Sequence, residues 1–505
     1  MITDYPDRIR AARVYDVAIE SPREPAPPRS RRRRAEGLFK REDLQPVFSF
    51  KLRGAYNKIV HLEPEQRARG VICASAGNHA QGVALAARRC GTTAMVVMPR
   101  TTPAIKIEAV RDLGGEIELA GDDYDGAYER AMALAKERGL TFIHPFDDPF
   151  VIAGQGTVAV EILKQSTRLP DAVFVPVGGG GLIAGIATYL KSVHPAIRVI
   201  GVEPEDAAGM HDSLKKGERV TLERVGLFAD GVAVRRVGEE TFRLAQAHVD
   251  EIVLVDTDEI CAAIQDIFED TRSIAEPAGA LGVAGLKKWL AREGGEGGRY
   301  VTVNGGANMN FDRLRHVAER ADLGQHREAL FAVEIPEEPG SFLRFCERFA
   351  ARNVTEFNYR YTRPDRAEIF VGLALSGGIA EQHELEAAIA AAGFPVLDMS
   401  SNEMAKLHVR YMVGGTGQGI RHERLFRFEF PERPGALLRF LKAVGTGWNI
   451  SLFHYRNHGS DYGRVLAGIQ VPPASAAEFL EHLAELGYVY VEETANPAYR
   501  IFLGG

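Results

Sequence analysis

Cysteine is scarce: the 505 residues hold Cys73, Cys90, Cys261 and Cys346 and no others. They are widely separated, and no Cys-x-x-Cys or Cys/His metal spacing occurs. This excludes a disulfide framework and a thiolate metal centre, leaving reduced thiols in a chain expected to be cytoplasmic. Long apolar runs are also missing, since none approaches the roughly 20 residues of a membrane-spanning helix. The first residues, Met1-Ile2-Thr3-Asp4-Tyr5-Pro6, carry acid and proline where a secretory signal is basic and then apolar. Neither sign of charge dominates: 61 Lys and Arg stand against 68 Asp and Glu, a net charge of -7. A general attraction to nucleic acid or membrane surfaces is therefore not expected. What is present is globular in composition, 45% hydrophobic and 26% charged. At roughly 100–200 residues per domain, the length predicts more than one domain.

The first 20 residues read as a short amphipathic helix. From Ser21 to Arg34, prolines forbid a helix and adjacent arginines repel one another, so a solvated loop is expected. Between Leu38 and about Val317, short apolar runs alternate with helical patterns. The runs include Val71-Ile72-Cys73-Ala74, Met95-Val96-Val97, Val173-Phe174-Val175 and Val301-Thr302-Val303. The helical patterns include Tyr124 to Arg138, Thr157 to Gln165, Leu182 to Val193 and Glu239 to His248. Strands separated by helices predict parallel βαβ units, with ligands at the carboxyl ends of the strands. After Leu323 the chain repeats itself. Phe331-Ala332-Val333-Glu334-Ile335-Pro336 is answered by Phe426-Arg427-Phe428-Glu429-Phe430-Pro431, and Phe357-Asn358-Tyr359-Arg360 by Phe453-His454-Tyr455-Arg456. Each unit reads as a ferredoxin-like βαββαβ pattern suited to sensing a small molecule. The predicted division is 1–322, 327–400 and 422–505, with 401–421 as a linker.

Three motifs carry chemistry. Val175-Pro176-Val177 runs into Gly178-Gly179-Gly180-Gly181-Leu182 and then a helix. Glycines permit close backbone approach, and a helix start presents N–H groups, which together suit a phosphate. No Walker lysine follows, and the spacing is not the dinucleotide fingerprint. Ser75-Ala76-Gly77-Asn78-His79 follows another strand with small residues and amides suited to a carboxylate. Asn78 can donate to a phenolic oxygen. His79 is read as a capping or supporting residue in preference to a general base. In Phe48-Ser49-Phe50-Lys51-Leu52, apolar neighbours favour a neutral, nucleophilic amine. A lysine imine, one phosphate and an amino-acid carboxylate together point to pyridoxal 5'-phosphate.

With Lys40-Arg41-Glu42-Asp43 and Glu276-Pro277-Ala278-Gly279, these motifs closely resemble the biosynthetic threonine deaminases, within the fold-type-II pyridoxal phosphate enzymes. The resemblance implies an α/β, two-lobed catalytic domain with parallel-type sheets, followed by two ferredoxin-like, ACT-like α+β regulatory units. It implies conversion of L-threonine to 2-oxobutanoate and ammonia, the first committed step of isoleucine biosynthesis, by a homotetramer inhibited by isoleucine and relieved by valine. Lys51 would anchor the cofactor and take the Cα proton. Phe50 would pack on its ring, Asn78 would bond its phenolic oxygen, and Gly178, Gly179, Gly180, Gly181 and Leu182 would hold its phosphate. Ser75, Gly77 and His79 would bind the substrate carboxylate, and Tyr359, Arg360, Tyr455 and Arg456 the effectors; no metal is implied. The chain departs from the family twice. Gly305 stands where a serine or cysteine usually faces the pyridine nitrogen, and residues 23–37 replace a helix and an apolar strand, which is expected to weaken that edge of the sheet. Two alternatives follow from the same motifs: a serine-preferring dehydratase or racemase on this scaffold, or an amino-acid sensor whose catalytic half has decayed.

Overall fold

Apolar runs buried on both faces are what a parallel sheet between helices requires, and the chain builds two such sheets. The computed structural model describes residues 5–26, 35–294, 297–336, 345, 347–349, 352, 354–360, 366–411, 421–431, 440, 448–456 and 462–503. The strands of the first 310 residues are β1 (Arg23–Ala26), β2 (Glu36–Arg41), β3 (Val71–Ala74), β4 (Ala94–Met98), β5 (Glu116–Leu119), β6 (Thr141–Phe142), β7 (Ala172–Pro176), β8 (Arg198–Pro204), β9 (Glu251–Val255) and β10 (Arg299–Asn304). They form one sheet of order β1-β2-β10-β7-β8-β9 and another of order β5-β4-β3-β6. Apart from the antiparallel β1–β2 pair, all pairings in both sheets are parallel. Each sheet has its own core. Val173, Val175, Ile183, Val301 and Val303 belong to the larger, and Val71, Val83, Val96 and Ile59 to the smaller.

Local chemistry fixes the helix ends. Asp123 and Asp148 accept from the first backbone N–H groups of the helices Tyr124–Arg138 and Pro149–Lys164. Asp256 and Glu259 form a reciprocal capping box for Thr257–Thr271. Gly139 stops its helix in a left-handed conformation. The helix expected to begin at Thr157 begins at Pro149, because proline fits a first helical position that the apolar pattern does not reveal.

The amino-terminal segment departs from expectation. The helix is confined to Tyr5–Arg10. Part of the supposed loop is the edge strand β1, whose Arg23 lies opposite Lys40. Proline is tolerated there because the outer side of an edge strand needs no ladder partner. Ser21 is fully buried, its backbone N–H donating to Glu161 Oε2 at 3.2 Å. Residues 27–34, which hold the arginine run, lie outside the described residues.

Residues Phe311–Gly505 form a separate unit. It contains β11 (Glu328–Pro336), β12 (Val354–Arg360), β13 (Arg366–Ala374), β14 (Val396–Asp398), β15 (Glu423–Pro431), β16 (Asn449–Arg456), β17 (Tyr462–Gln470) and β18 (Val489–Glu492). The sheet orders are β12-β13-β11-β14 and β16-β17-β15-β18, all antiparallel, which is ferredoxin-like order in both repeats. Both outer strands carry a register irregularity at the same relative place, Val354/Glu356 and Ile450/Leu452. The second helix of each repeat is Gly378–Ala391 or Ala476–Leu486; of the stretches where the first was expected, only residues 345, 347–349 and 440 lie among the described residues.

The segment expected as a linker carries the helix Glu403–Leu407, with Met404, Ala405 and Leu407 buried. It has a counterpart in Pro497–Phe502 after the second repeat. Each helix is capped by an asparagine, Asn402 or Asn496, and the Asn402 amide donates to Asn496 Oδ1 at 3.2 Å. Met404, Ala405, Ala498, Tyr499 and Phe502 share one core with Leu330, Phe370, Leu425 and Leu466. The Gly-rich tail of the segment resembles a linker in composition, but its apolar half is part of the regulatory core. Among the described residues, no helix is long and apolar enough to cross a membrane.

Candidate active site

The carboxyl ends of β3, β7 and β10 deliver the three polar loops of the catalytic unit. Lys51 opens the helix Lys51–Val60, and Phe50 occupies its cap position. The turn before it holds Phe48 at φ 54, a left-handed conformation that costs energy for a bulky residue. It is held there by the loop after β10: Ala307 N donates to Phe48 O at 2.9 Å, Phe50 N to Gly305 O at 3.3 Å, and Ser49 bridges Gly306. Lys51 and position 305 are thus brought together by backbone bonding. Lys51 Nζ lies 5.2 Å from the centre of the Phe50 ring. Burial pulls the Lys51 amine down to about 8, partly offset by the negative charge of Glu276. A substantial neutral fraction near pH 8 is what a nucleophilic amine needs.

The glycine loop is built so that no side chain fits. A Cβ at Gly179 would lie 2.2 Å from the Phe146 ring, and one at Gly178 2.9 Å from Val232 Cα. Gly180 has φ +95 and faces Met210 and Thr241. Gly179 O accepts from Thr241 Oγ1 at 2.6 Å, which fixes the loop against the helix Glu239–His248. Gly181 begins the helix Gly181–Val193, and Leu182 follows within it. Its first N–H groups have no intrahelical acceptor, as at any helix start. The loop is therefore a cradle of free amides at a helix N-terminus, which fits a phosphate.

The third loop follows β3. Gly77 caps the helix Asn78–Arg89, its N–H donates to Ser75 Oγ at 3.3 Å, and nothing lies within 4 Å of a Cβ placed on it. A small anion has room there. His79 Nε2 donates to Ile143 O at 2.8 Å, so Nδ1 is the acceptor of the neutral ring, and Nδ1 is buried without a partner. Burial pushes His79 down to about 3, and Lys51 and His144 add to the effect. A neutral imidazole presenting an acceptor does not attract a carboxylate, so what His79 offers such a group is its backbone N–H.

Glu276 and Asn308 were not given roles from sequence, although Glu276 lies in a motif read as a family signature. Asn78 Nδ2 donates to Glu276 Oε1 at 2.6 Å, Asn308 N to Glu276 Oε2 at 3.1 Å, and Asn308 Nδ2 to Asn78 Oδ1 at 2.6 Å. The signal available in the sequence was a carboxylate directly before the proline that starts the helix Pro277–Glu293. Asn304 also lies buried with both side-chain polar atoms unpartnered. A Cβ on Gly279 would lie 2.9 Å from its Oδ1.

Residues 16–306 match the family of pyridoxal-phosphate-dependent enzymes, and residues 319–409 and 414–503 match the C-terminal regulatory domain of threonine dehydratase. The biosynthetic L-threonine dehydratase IlvA of Burkholderia multivorans is 58% identical over 503 residues, 99% of each chain. That of Escherichia coli K12 is 53% identical over 99% of this chain and 97% of its own. The chain belongs to the biosynthetic threonine dehydratases. Among solved structures, the processed threonine deaminase isoform 2 of Solanum lycopersicum aligns with TM-score 0.62 and 51% identity, covering 63% of this chain and 88% of that one. As a member of the family, the chain is a pyridoxal-phosphate-dependent enzyme, and the glycine cradle and desolvated Lys51 fit that group.

The four effector candidates lie in the outer strand of each regulatory sheet. Tyr359 and Arg360 pair with Ile369 and Glu368, and Tyr455 and Arg456 with Val465 and Arg464. The two pairs occupy the same place in the repeat. Their side chains lie outside the described residues.

Proposed function

We propose that this chain dehydrates and deaminates L-threonine to 2-oxobutanoate and ammonia, as the committed step of isoleucine biosynthesis, in the cytoplasm. The observation that carries the reading is the meeting of a desolvated Lys51 amine, a side-chain-free phosphate cradle and an open helix start at Gly77 in one catalytic unit.

Bound pyridoxal phosphate supplies the electron-withdrawing group that makes loss of the substrate's Cα proton feasible. The residues of the chain do the rest. Lys51 would anchor pyridoxal phosphate, and its nitrogen, when free, would take the substrate's Cα proton. The amides of Gly178 to Leu182 would hold the phosphate, and Phe50 would pack against the ring. Asn78 would donate to the phenolic oxygen. Ser75 and the backbone N–H groups from Gly77 to His79 hold the substrate carboxylate. Gly305 would leave the cofactor's ring nitrogen without a side-chain donor from that position. The regulatory unit takes isoleucine as inhibitor and valine as antagonist, with Tyr359, Arg360, Tyr455 and Arg456 at the effector sites, in a homotetramer.

Purified protein is expected to carry the yellow colour of bound pyridoxal phosphate and to form 2-oxobutanoate from L-threonine faster than pyruvate from L-serine. Isoleucine should slow the reaction. Lys51→Ala should lose the colour and about 10³-fold or more of turnover, within the range for losing an acid–base group. Colourless wild-type protein overturns the reading, and faster serine turnover moves it to the serine-preferring alternative.

A further inference from the structure

The ring of Asn78, Glu276 and Asn308 is closed, and its polarity follows from atom types alone. Asn308 Nδ2 donates to Val47 O at 2.8 Å and to Asn78 Oδ1 at 2.6 Å, which uses both of its hydrogens. Asn78 Oδ1 must therefore accept, and Asn78 Nδ2 donates to Glu276 Oε1. Turning the Asn78 amide over would set its carbonyl against a carboxylate and its NH2 against another NH2. The remaining hydrogen on Asn78 Nδ2 makes Asn78 a donor toward anything bound beside it.

The ring is also tied to the Lys51 turn. Glu276 N donates to Gly306 O at 3.0 Å, and Gly306 bridges Ser49. A Cβ on Gly306 would lie 2.5 Å from Glu276 Oε1, so the glycine there leaves room for the carboxyl group. The charged groups acting on it are Asp230, which opposes its ionisation, and Lys106, which favours it. Those two residues form an ion pair at 2.7 Å, and the negative charge of Glu276 favours the protonated form of Lys51.

We propose that Glu276 is a positioning residue of the Lys51 pocket: it holds Asn78 oriented as a donor, and its charge raises the proton affinity of the Lys51 nitrogen. Burial pushes the carboxyl group up to about 7 and the Lys51 amine down to about 8, so the two titrate in neighbouring ranges. Loss of the negative charge at 276 removes the partner that favours a protonated Lys51 nitrogen. The proton affinity of that nitrogen then falls.

The inference rests on the pyridoxal phosphate site proposed above. Its test uses the full-length holoenzyme and reads the visible cofactor band against pH, together with cofactor retention on dialysis. In Glu276→Gln the midpoint of the band is expected to fall by about one pH unit, the size of effect one neighbouring charge produces. Turnover should fall about 10-fold or more, with the KM for threonine changed less than about 3-fold, the pattern of a group acting on the reacting centre rather than on uniform binding. Glu276→Asp, which keeps the charge, should restore the midpoint. A Glu276→Gln midpoint equal to that of the wild type overturns the proposal. Should that variant not fold, Asn308→Ala opens the ring from the other side and should weaken cofactor retention; unchanged retention there also overturns it. Failure of the threonine reading would show instead as a different preferred substrate in the wild type, with these spectral shifts intact.

Discussion

A glycine at 305 leaves a space that a side chain would fill without strain. A Cβ there meets Phe50 Cδ1 and Cε1 at 3.5 Å and Pro176 Cγ at 3.9 Å, ordinary contact distances. Gly305→Ser is therefore expected to fold normally and to retain cofactor more tightly, by about 0.5–1.5 kcal/mol for one neutral hydrogen bond. Equilibrium dialysis against pyridoxal phosphate checks this; unchanged affinity and turnover would mean that no donor is wanted at that position. Lys51, the glycine loop and the Asn78 loop were legible because each states its chemistry within about eight consecutive residues. Glu276 and Asn308 were not, because their meaning lies in bonds to Asn78 across 198 and 230 residues. His79, read as a capping or supporting residue beside the substrate carboxylate, donates to Ile143 O.

Four successive charged residues, Lys40 to Asp43, are at most 3% exposed. Their partners come from distant elements. Lys40 Nζ donates to Glu161 Oε2 at 2.6 Å, and Arg53, fully buried on the Lys51 helix, bonds Glu42 at 2.7 Å and Glu161 at 2.6 Å. Arg53 is held charged by those carboxylates against the cost of its burial. The network joins the helices Lys51–Val60 and Pro149–Lys164 to the amino-terminal segment, where Ser21 Oγ donates to Glu42 Oε1 at 2.5 Å. These bonds tie Ile19 and Ser21 to the network, at the start of a stretch whose prolines and arginines suggest a loop. Arg53→Met keeps much of the volume but removes the guanidinium that bonds two buried carboxylates, leaving Lys40 and neutral donors beside them. Breaking a buried ion network in this way is expected to cost about 3–5 kcal/mol, read as a lower urea midpoint of the apoprotein. A midpoint within error of the wild type would show that water reaches the network. The alternating strand and helix pattern, by contrast, was legible in advance, since it follows from apolar period and capping residues in each segment.

At the scale of the chain, the question is where catalysis can be separated from regulation. A boundary after about Leu323 follows from the change in sequence character. The structure moves it, because Leu323 is buried in the core that holds Leu330, Met404 and Leu425. The helix Arg313–Gly324 thus contributes to the regulatory unit, and the units divide after Asn310. A chain cut after Leu323 would carry that helix with the apolar surface of Leu323 uncovered, a liability for aggregation. A chain ending at Asn310 keeps β10, Gly305, Asn308 and the whole Asn78–Glu276 ring. It is expected to bind pyridoxal phosphate, to turn over threonine at a reduced but measurable rate, and to ignore isoleucine at concentrations that inhibit the full chain. The regulatory unit should in turn be cut at Phe311 and kept whole through Leu503. The Asn402–Asn496 contact and the shared core join its two repeats, so neither repeat is expected to fold without the other. Parallel assays of 2-oxobutanoate formation by the full and shortened chains, with and without isoleucine, decide the matter: isoleucine sensitivity that survives removal of residues 311–505 would place the effector site in the catalytic unit.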